Sequence, residues 1–254
     1  MIKNSLLYSI SPTYIYHGEL YKSEVIREVF FDNFEKYGFD THAENCNDDS
    51  PQKSVNFGQS ESNYTTGEVR PNKGYIHLDD SFLLFFTQLK SHITNFLDGI
   101  GLDVDKFSYH VLKSWYTIMD ERHGVGLHHH NSSELSFVYY INVPPGAGNI
   151  HFLNPNLIDT SHNCFFPSIY EKSLLGRGFL KDEITSHTKR LLPVEVKDGD
   201  LLIFPSTLSH MVPASKSENG EKRYSISGDI KLTTSPDIST YEHGLVHPSR
   251  WLEL

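Results

Sequence analysis

From residue 107 onward, apolar and polar residues alternate in short runs that glycine and proline separate. A period of two is typical of a strand with one buried face, and several such runs with turns between them predict an antiparallel sandwich or barrel. A looser alternation at residues 5–17 predicts one further strand. Runs rich in Val, Ile, Tyr and Phe span residues 107–119, 135–143, 149–153, 192–196, 200–204, 209–213 and 222–232.

Two stretches of the N-terminal third place apolar residues three and four positions apart, which is the spacing of a helix with one buried face. The first covers residues 22–37 and precedes Gly38, a residue that suits a helix C-terminus. The second begins after Asp79 or Asp80, either of which can cap it, and ends at Gly99. Its predicted apolar stripe consists of Phe82, Phe86, Leu89, Ile93, Phe96 and Leu97.

Two long segments lack a regular period. Residues 40–75 are rich in Asn, Asp, Ser, Gly and Thr, and residues 154–190 interrupt the predicted strands. Each segment is either a surface excursion or a part of the substrate mouth, and the second is a candidate lid. We expect a single domain for the whole chain, in which residues 1–106 support a β core at 107–232 and residues 233–254 form a C-terminal tail.

Composition restricts the class of protein. The 254-residue chain has a formal net charge of -10 and no long basic run, which argues against a surface that follows nucleic-acid phosphates. Its two cysteines, Cys46 and Cys164, show no zinc-binding spacing, so we expect free thiols in a reducing compartment. No apolar segment approaches the ~20 residues that span a bilayer, and the first residues lack the features of a secretory signal. We therefore expect a cytoplasmic protein without a membrane segment.

A histidine triplet lies between the first two predicted strands of the core. On a strand, His128 and His130 share one face and can reach one metal ion, whereas His129 points the other way. His210, which follows the strand at 200–204 and a short turn, is the candidate third ligand. Three ligands on one side of an ion leave the opposite positions open for substrate or oxygen. The alternative is a surface or core cluster without a metal, since the chain has 15 histidines.

A candidate anion site lies on the predicted strand after His210. Arg223 and Ser225 are two residues apart and therefore share a face. A guanidinium grips a carboxylate with two parallel hydrogen bonds, and a hydroxyl adds another. The hydroxyl of Tyr139, on the strand at 135–143, is a candidate for the same carboxylate. Taken alone, each residue is equally typical of a surface or core position.

The order of these motifs along the chain is more specific than any one of them. It runs from HxH through Val-Tyr-Tyr-Ile-Asn, Asn-Ile-His-Phe, Gly-Asp-Leu-Leu-Ile-Phe and His-Met-Val-Pro-Ala to Arg-Tyr-Ser-Ile-Ser. This series resembles the iron(II)/2-oxoglutarate-dependent oxygenases over residues 107–232, especially the prolyl-hydroxylase-like branch with its phage and bacterial members. The resemblance implies a mainly β protein with supporting N-terminal helices, folded as a double-stranded β-helix, or jelly roll.

The resemblance also implies an activity. A protein of this kind uses Fe(II) and takes 2-oxoglutarate and O2 as co-substrates. It would hydroxylate a small-molecule or peptide substrate and release succinate and CO2. By the same resemblance, His128 and His210 match the metal-binding histidines and Arg223 matches the residue that pairs with the distal carboxylate of 2-oxoglutarate. Ser225 and Tyr139 occupy the matching hydroxyl positions.

One residue departs from the pattern of these oxygenases. Their usual motif is HxD or HxE, and here His130 stands at the carboxylate position. The expected ligand set is therefore three neutral imidazoles, which suit Fe, Zn, Cu and Ni alike. Glu134 is an alternative carboxylate. Two other functions stay open, namely a cupin-like Zn or Ni enzyme that does not use 2-oxoglutarate and a non-catalytic jelly-roll module. The pair Arg223 and Ser225 favours the oxygenase over the cupin-like enzyme, which needs no buried carboxylate clamp. The presence of His128, His210 and Arg223 together argues against the non-catalytic module.

Overall fold

The alternating pattern becomes two antiparallel sheets in the computed structural model. The structure describes residues 13–33, 75–119, 124–155, 191–213, 216, 221–238 and 245–253, together with the backbone of 40–41 and 61–62. Residues 156–190, which hold nearly all of the candidate lid, lie outside the described part of the chain, as do most of residues 40–75 and the first twelve residues.

The larger sheet has seven strands and the smaller has four. Their order is β1-β9-β6-β11-β4-β3-β2 in the larger sheet and β5-β10-β7-β8 in the smaller. The strands are β1 (Tyr16–Glu19), β2 (Asp40–Thr41), β3 (Glu61–Ser62), β4 (Phe107–Met119), β5 (Val125–His128), β6 (Leu135–Asn142), β7 (Ile150–Leu153), β8 (Leu191–Val194), β9 (Asp200–Pro205), β10 (His210–Val212) and β11 (Arg223–Thr234). Strands β4 to β11 alternate between the two sheets, apart from one consecutive pair in the smaller sheet. This order is that of a double-stranded β-helix, and it confirms the predicted jelly roll.

Two α-helices pack on the outer face of the larger sheet. Helix α1 covers Ser23–Asn33 and buries Ile26 and Phe30. Its predicted continuation to residue 37 lies outside the described residues. Helix α2 covers Leu83–Gly99 and follows a 3-10 turn that Asp79 caps, because the Asp79 side chain accepts a hydrogen bond from the Ser81 N–H. Its buried residues are Phe85, Leu89, Ile93, Phe96 and Leu97. The predicted stripe is therefore right except at Phe86, which is only partly buried.

Strand β9 shows how the larger sheet serves two cores. Leu201 and Ile203 join the core between this sheet and the helices, whereas Leu202 and Phe204 join the core between the two sheets. Successive side chains of a strand point to opposite faces, so a strand covered on both sides reads as a continuous apolar run. Each such fully buried side chain contributes about 1.5–3 kcal/mol. The two cores thus hold the larger sheet between the helices and the smaller sheet.

Strand β11 alternates in a different way. Ile226 and Ile230 face the helices, while Arg223, Ser225 and Asp229 belong to the face toward the smaller sheet and are all buried. A row of polar residues on the inner face of a central strand marks the position of the functional site. Among the described residues, no helix combines the length and the apolar character that crossing a bilayer requires.

Candidate functional site

Three histidine side chains meet between the two sheets. His128 ends β5 and His210 begins β10, and the two residues are direct partners across these antiparallel strands. His130 lies two residues beyond β5, where its backbone N–H donates to the Ser206 carbonyl at 2.8 Å. One nitrogen from each imidazole lies within 4.8 Å of the others. The structure thus brings together the three histidines that the sequence selects, although only the first of the HxH pair is on the strand.

The hydrogen bonds of two of these rings determine which nitrogen faces the shared space. His128 Nδ1 lies 2.8 Å from the Gly126 carbonyl, and His210 Nδ1 lies 2.9 Å from the Leu208 carbonyl. A carbonyl oxygen can only accept, so Nδ1 carries the proton in both rings and Nε2 keeps its lone pair. Protein metal sites orient histidine ligands by this kind of bond.

The third ring, His130, is held by a carboxylate. Its Nδ1 is hydrogen-bonded to Asp229 Oδ1 and lies 3.2 Å from Ser136 Oγ. Asp229 is 1% exposed, and its second oxygen lies 3.2 Å from Lys113 Nζ. Burial raises the pKa of Asp229, but its contacts with His130, Ser136 and Lys113 together keep that pKa below its usual value. Asp229 is not among the site residues predicted from the sequence, although its position in the polar row of β11 is a visible signal.

Burial also sets the charge of the histidines. It lowers the pKa of His210 to about 3, with a further contribution from the neighbouring His128, and it lowers the pKa of His128. Both rings are therefore neutral near pH 7, which is the form of imidazole that binds a metal ion.

The other two polar residues near the triplet lie away from the cluster. His129 is exposed, as its position between two inward-facing residues predicts. Glu134 is not directed at the histidines, because its carboxylate accepts hydrogen bonds from Lys231 Nζ at 2.6 Å and from the Leu232 N–H at 2.8 Å. Among the described residues, the ligand cluster consists of imidazoles alone.

Arg223 lines the same cavity as the three histidines. It is 2% exposed, and its Nη1 donates to the Gly148 carbonyl at 3.0 Å. Its Nε and the hydroxyl of Tyr140 have no hydrogen-bond partner among the described residues. The guanidinium carbon lies 4.8 Å from the centre of the Tyr140 ring. Since buried polar groups almost always have partners, the two unpaired groups point to a ligand that accepts hydrogen bonds from both.

Tyr140, and not Tyr139, is the tyrosine of this cavity, which corrects the choice made from the sequence. Tyr139 faces α2, where its ring centre lies 5.2 Å from that of Phe85. In β6, alternate residues starting at Phe137 face the helices, so Tyr140 faces the other sheet. Burial raises the pKa of Tyr140 to about 12, and its hydroxyl is therefore a neutral donor. Ser225 lines the cavity beside it, as predicted from its spacing to Arg223.

The sequence that forms this cavity matches a known protein family. Residues 113–229 match the model of a family described as "Putative 2OG-Fe(II) oxygenase". The match covers less than half of the 254 residues and shows a likeness to this family over the β core. The matched segment extends from β4 to the end of the polar row in β11, so it contains every residue of the cavity discussed above. No curated protein sequence matches the chain.

Solved structures similar to this chain include three with stated ligands or activities. A prolyl-4-hydroxylase from Pseudomonas putida is 11% identical, with a TM-score of 0.47, over 86% of this chain and 92% of that one. A Trichoplax adhaerens prolyl hydroxylase in complex with a hypoxia inducible factor peptide fragment is 12% identical, with a TM-score of 0.49, over 85% and 83%. HygX from Streptomyces hygroscopicus, with nickel, 2-oxoglutarate and hygromycin B bound, is 14% identical, with a TM-score of 0.46, over 86% and 83%.

The residues of the cavity fit the two groups that the description of the matching family implies, Fe(II) and 2-oxoglutarate. Three imidazoles with a free Nε2 form a donor set that suits iron. The buried guanidinium with an unpaired N–H fits the distal carboxylate of a dicarboxylic acid. The cavity thus has one part suited to a cation and one suited to an anion.

Proposed function

We propose that this protein is an iron(II)- and 2-oxoglutarate-dependent dioxygenase that hydroxylates a small-molecule or peptide substrate and releases succinate and CO2. One observation carries the proposal. A cluster of three oriented imidazoles and a buried arginine with an unpaired N–H line one cavity. A metal site alone would need only the histidines, whereas a co-substrate with a free carboxylate accounts for the arginine as well.

We assign the metal to His128, His130 and His210. Their Nε2 atoms would hold the ion, and the hydrogen bonds at Nδ1 keep the rings from turning away. When bound, iron and 2-oxoglutarate supply the oxidising chemistry, in which O2 gives one atom to succinate and one to the substrate while CO2 is lost. The chain contributes the three imidazoles from one region, where β5 and β10 pair.

We assign the distal carboxylate of 2-oxoglutarate to Arg223, Ser225 and Tyr140. Arg223 offers charge and the unpaired Nε–H, and the Tyr140 hydroxyl offers a neutral donor. The guanidinium remains protonated, although burial lowers its pKa, because an arginine starts from a very high value. Removal of water strengthens this contact, since charges attract more strongly where the dielectric constant is low.

The surroundings of the ligands exclude water. Apolar side chains from both sheets line the cavity, and they comprise Trp115, Met119, Val125, Val138, Ile150, Phe204 and Val212. Such walls protect a reactive centre from side reactions with solvent. A nucleic-acid substrate does not fit the net charge of -10. A cytoplasmic location is part of the proposal and is supported by the low cysteine content.

An anaerobic titration tests the proposal. Purified apo-protein receives Fe(II) and then 2-oxoglutarate, and the visible metal-to-ligand charge-transfer band is recorded. We expect the band in the wild type and its loss in His130→Ala. The Arg223→Met variant is the matched control, because it keeps the imidazoles and should bind Fe(II) while forming the band only at much higher 2-oxoglutarate concentration.

Other outcomes favour other functions. Fe(II) binding without a band would mean that 2-oxoglutarate does not chelate the metal, and a Zn or Ni enzyme with three histidines would then explain the cluster better. If no metal binds to the wild type, the histidines have a structural role and the non-catalytic jelly-roll module becomes the better explanation.

A further inference from the structure

We propose that Asp229 is a positioning residue of the metal centre, acting on the ion through His130. The inference rests on the proposed function, since it assumes that His130 binds the metal. In this assignment, Asp229 keeps the His130 ring in the orientation that presents Nε2 to the ion. It also places a carboxylate behind a ligand set that has none of its own.

The contact between the two side chains is direct. Asp229 Oδ1 accepts the hydrogen bond of His130 Nδ1, so the ring nitrogen that remains free is Nε2. The other two histidines have backbone carbonyls in this role, at Gly126 and Leu208. His130 lies beyond the end of β5, and no backbone carbonyl of the described residues accepts from its ring. A side chain therefore does for His130 what the main chain does for its two partners.

The carboxylate itself is held by a buried polar network. Ser136 Oγ donates to Asp229 Oδ1 at 2.8 Å and lies 2.9 Å from Ser206 Oγ. Ser133 Oγ lies 2.8 Å from Ser206 Oγ. The same Ser206 accepts the backbone N–H of His130 through its carbonyl. The residues that fix Asp229 thus also fix the main chain of the histidine, which leaves the His130–Asp229 pair little freedom to move.

The strand register places the carboxylate on the cavity side. Asp229 pairs with Lys113 of β4 and Ser136 of β6, and the pairing of β11 with β4 shifts between Asp229 and Ile230. The extra residue of this bulge is Leu112 in β4, so Asp229 keeps the regular alternation of β11. Bulges are frequent beside active sites. Lys113 Nζ, at 3.2 Å, contacts the second carboxylate oxygen and leaves the first to the serine and the histidine.

The consequence concerns the character of the ion. A carboxylate hydrogen-bonded to the far nitrogen of an imidazole makes that ring a stronger ligand. In the HxD pattern a carboxylate binds the metal directly. In this chain the carboxylate of Asp229 would instead be hydrogen-bonded to the metal ligand His130. The proposal therefore predicts that loss of Asp229 weakens metal binding although Asp229 does not touch the ion.

Co(II) titration of the apo-protein tests this inference independently of turnover. We expect Asp229→Asn and Asp229→Ala to lower the Co(II) affinity by about 10–100-fold and to change the visible Co(II) spectrum. Lys113→Met is the matched control, because it removes the contact to the second carboxylate oxygen of Asp229 and spares His130. It should leave the affinity and the spectrum near those of the wild type. Unchanged affinity in both Asp229 variants would overturn the inference.

A double-mutant cycle separates positioning from a general effect on the fold. In the His130→Ala background the ring that Asp229 orients is gone, so Asp229→Asn should cause no further loss of affinity. An equal loss in both backgrounds, or a loss in Lys113→Met as large as in Asp229→Asn, would assign the effect to the fold and overturn the inference. If His210→Ala loses Co(II) while Asp229→Asn does not, the metal site stands and only the inference fails. If the wild type binds no Co(II), both fail.

Discussion

The Arg223→Met variant gives the sharpest test of the anion site, because it should change ligand binding and stability in different directions. Arg223 is 2% exposed, and one of its donors is already used by the Gly148 carbonyl. Methionine has a similar length and no charge, so it fills the same space without offering a hydrogen bond. The perturbation therefore removes the guanidinium and leaves most of the packing.

The expected magnitude for 2-oxoglutarate binding follows from the burial of this residue. Truncating one partner of a buried, hydrogen-bonded charge pair costs about 2–5 kcal/mol. With about 1.4 kcal/mol for each tenfold change, the dissociation constant of 2-oxoglutarate should rise by roughly 30-fold or more. Arg223→Lys should fall between wild type and Arg223→Met, because lysine keeps the charge but cannot form the two-pronged contact.

The stability of the ligand-free protein should not fall. Among the described residues, Arg223 has no carboxylate partner, and burial of its charge is costly. Replacing a buried charge by an apolar side chain of similar volume is often neutral or stabilising. We expect the melting temperature of Arg223→Met without ligand to equal or exceed that of the wild type.

Thermal unfolding with and without 2-oxoglutarate measures both effects in one assay, with Ni(II) in place of iron to prevent turnover. At a concentration 100 times its dissociation constant, the ligand should stabilise the wild type by about 2.7 kcal/mol. Arg223→Met should lose most of this gain. An equal ligand-induced shift of the melting temperature in the two proteins would refute the binding of the carboxylate by Arg223. A large fall in the melting temperature of ligand-free Arg223→Met would refute the inference that the buried charge of Arg223 destabilises the protein.

Three further predictions concern single residues. His210→Ala should abolish Fe(II) retention in equilibrium dialysis, whereas His129→Ala, an exposed neighbour of the cluster, should retain Fe(II) like the wild type. Tyr140→Phe should raise the dissociation constant of 2-oxoglutarate by roughly tenfold, the worth of a hydrogen bond to a charged group, and Tyr139→Phe should leave it unchanged in the same calorimetric titration. Gly228→Ala should destabilise the protein to urea by about 1–3 kcal/mol, because its Cβ would lie 2.5 Å from an aromatic carbon of the adjacent strand. An unchanged urea midpoint would show that the strands separate easily at this point.

Much of the fold follows from periodicity. The stripe of α2 extends over enough residues for the buried positions to repeat, and the continuous apolar run of β9 is that of a strand covered on both sides. The spacing of Arg223 and Ser225 on one strand predicts a shared face for the same reason, and both line the cavity. Local patterns of this kind depend only on the geometry of a single helix or strand.

The site residues that were predicted wrongly or missed depend on contacts between strands, which the pattern of a single strand does not determine. Tyr139 and Tyr140 are adjacent, and a period of two assigns them to opposite faces without saying which face meets the second sheet. Both faces of β6 are buried, so hydrophobicity does not distinguish them. Likewise, the partner of His130 lies 99 residues away in the sequence, and only the pairing of β11 with its neighbours brings Asp229 to it. Such contacts arise from tertiary structure.

The alternation of β11 also determines which sequence changes this chain can accept. Its residues alternate between the hydrophobic core on the helix side and the polar row on the cavity side. Inserting one residue after Arg223 would therefore move Asp229 into the hydrophobic core and an isoleucine into the metal cavity. Every downstream position would be exchanged at once. A substitution in this strand changes one side chain, whereas an insertion or deletion of one residue changes the face of every side chain that follows it. An insertion or deletion in β11 must therefore comprise two residues, or a multiple of two, to keep the polar residues on the cavity face and the apolar residues on the helix face.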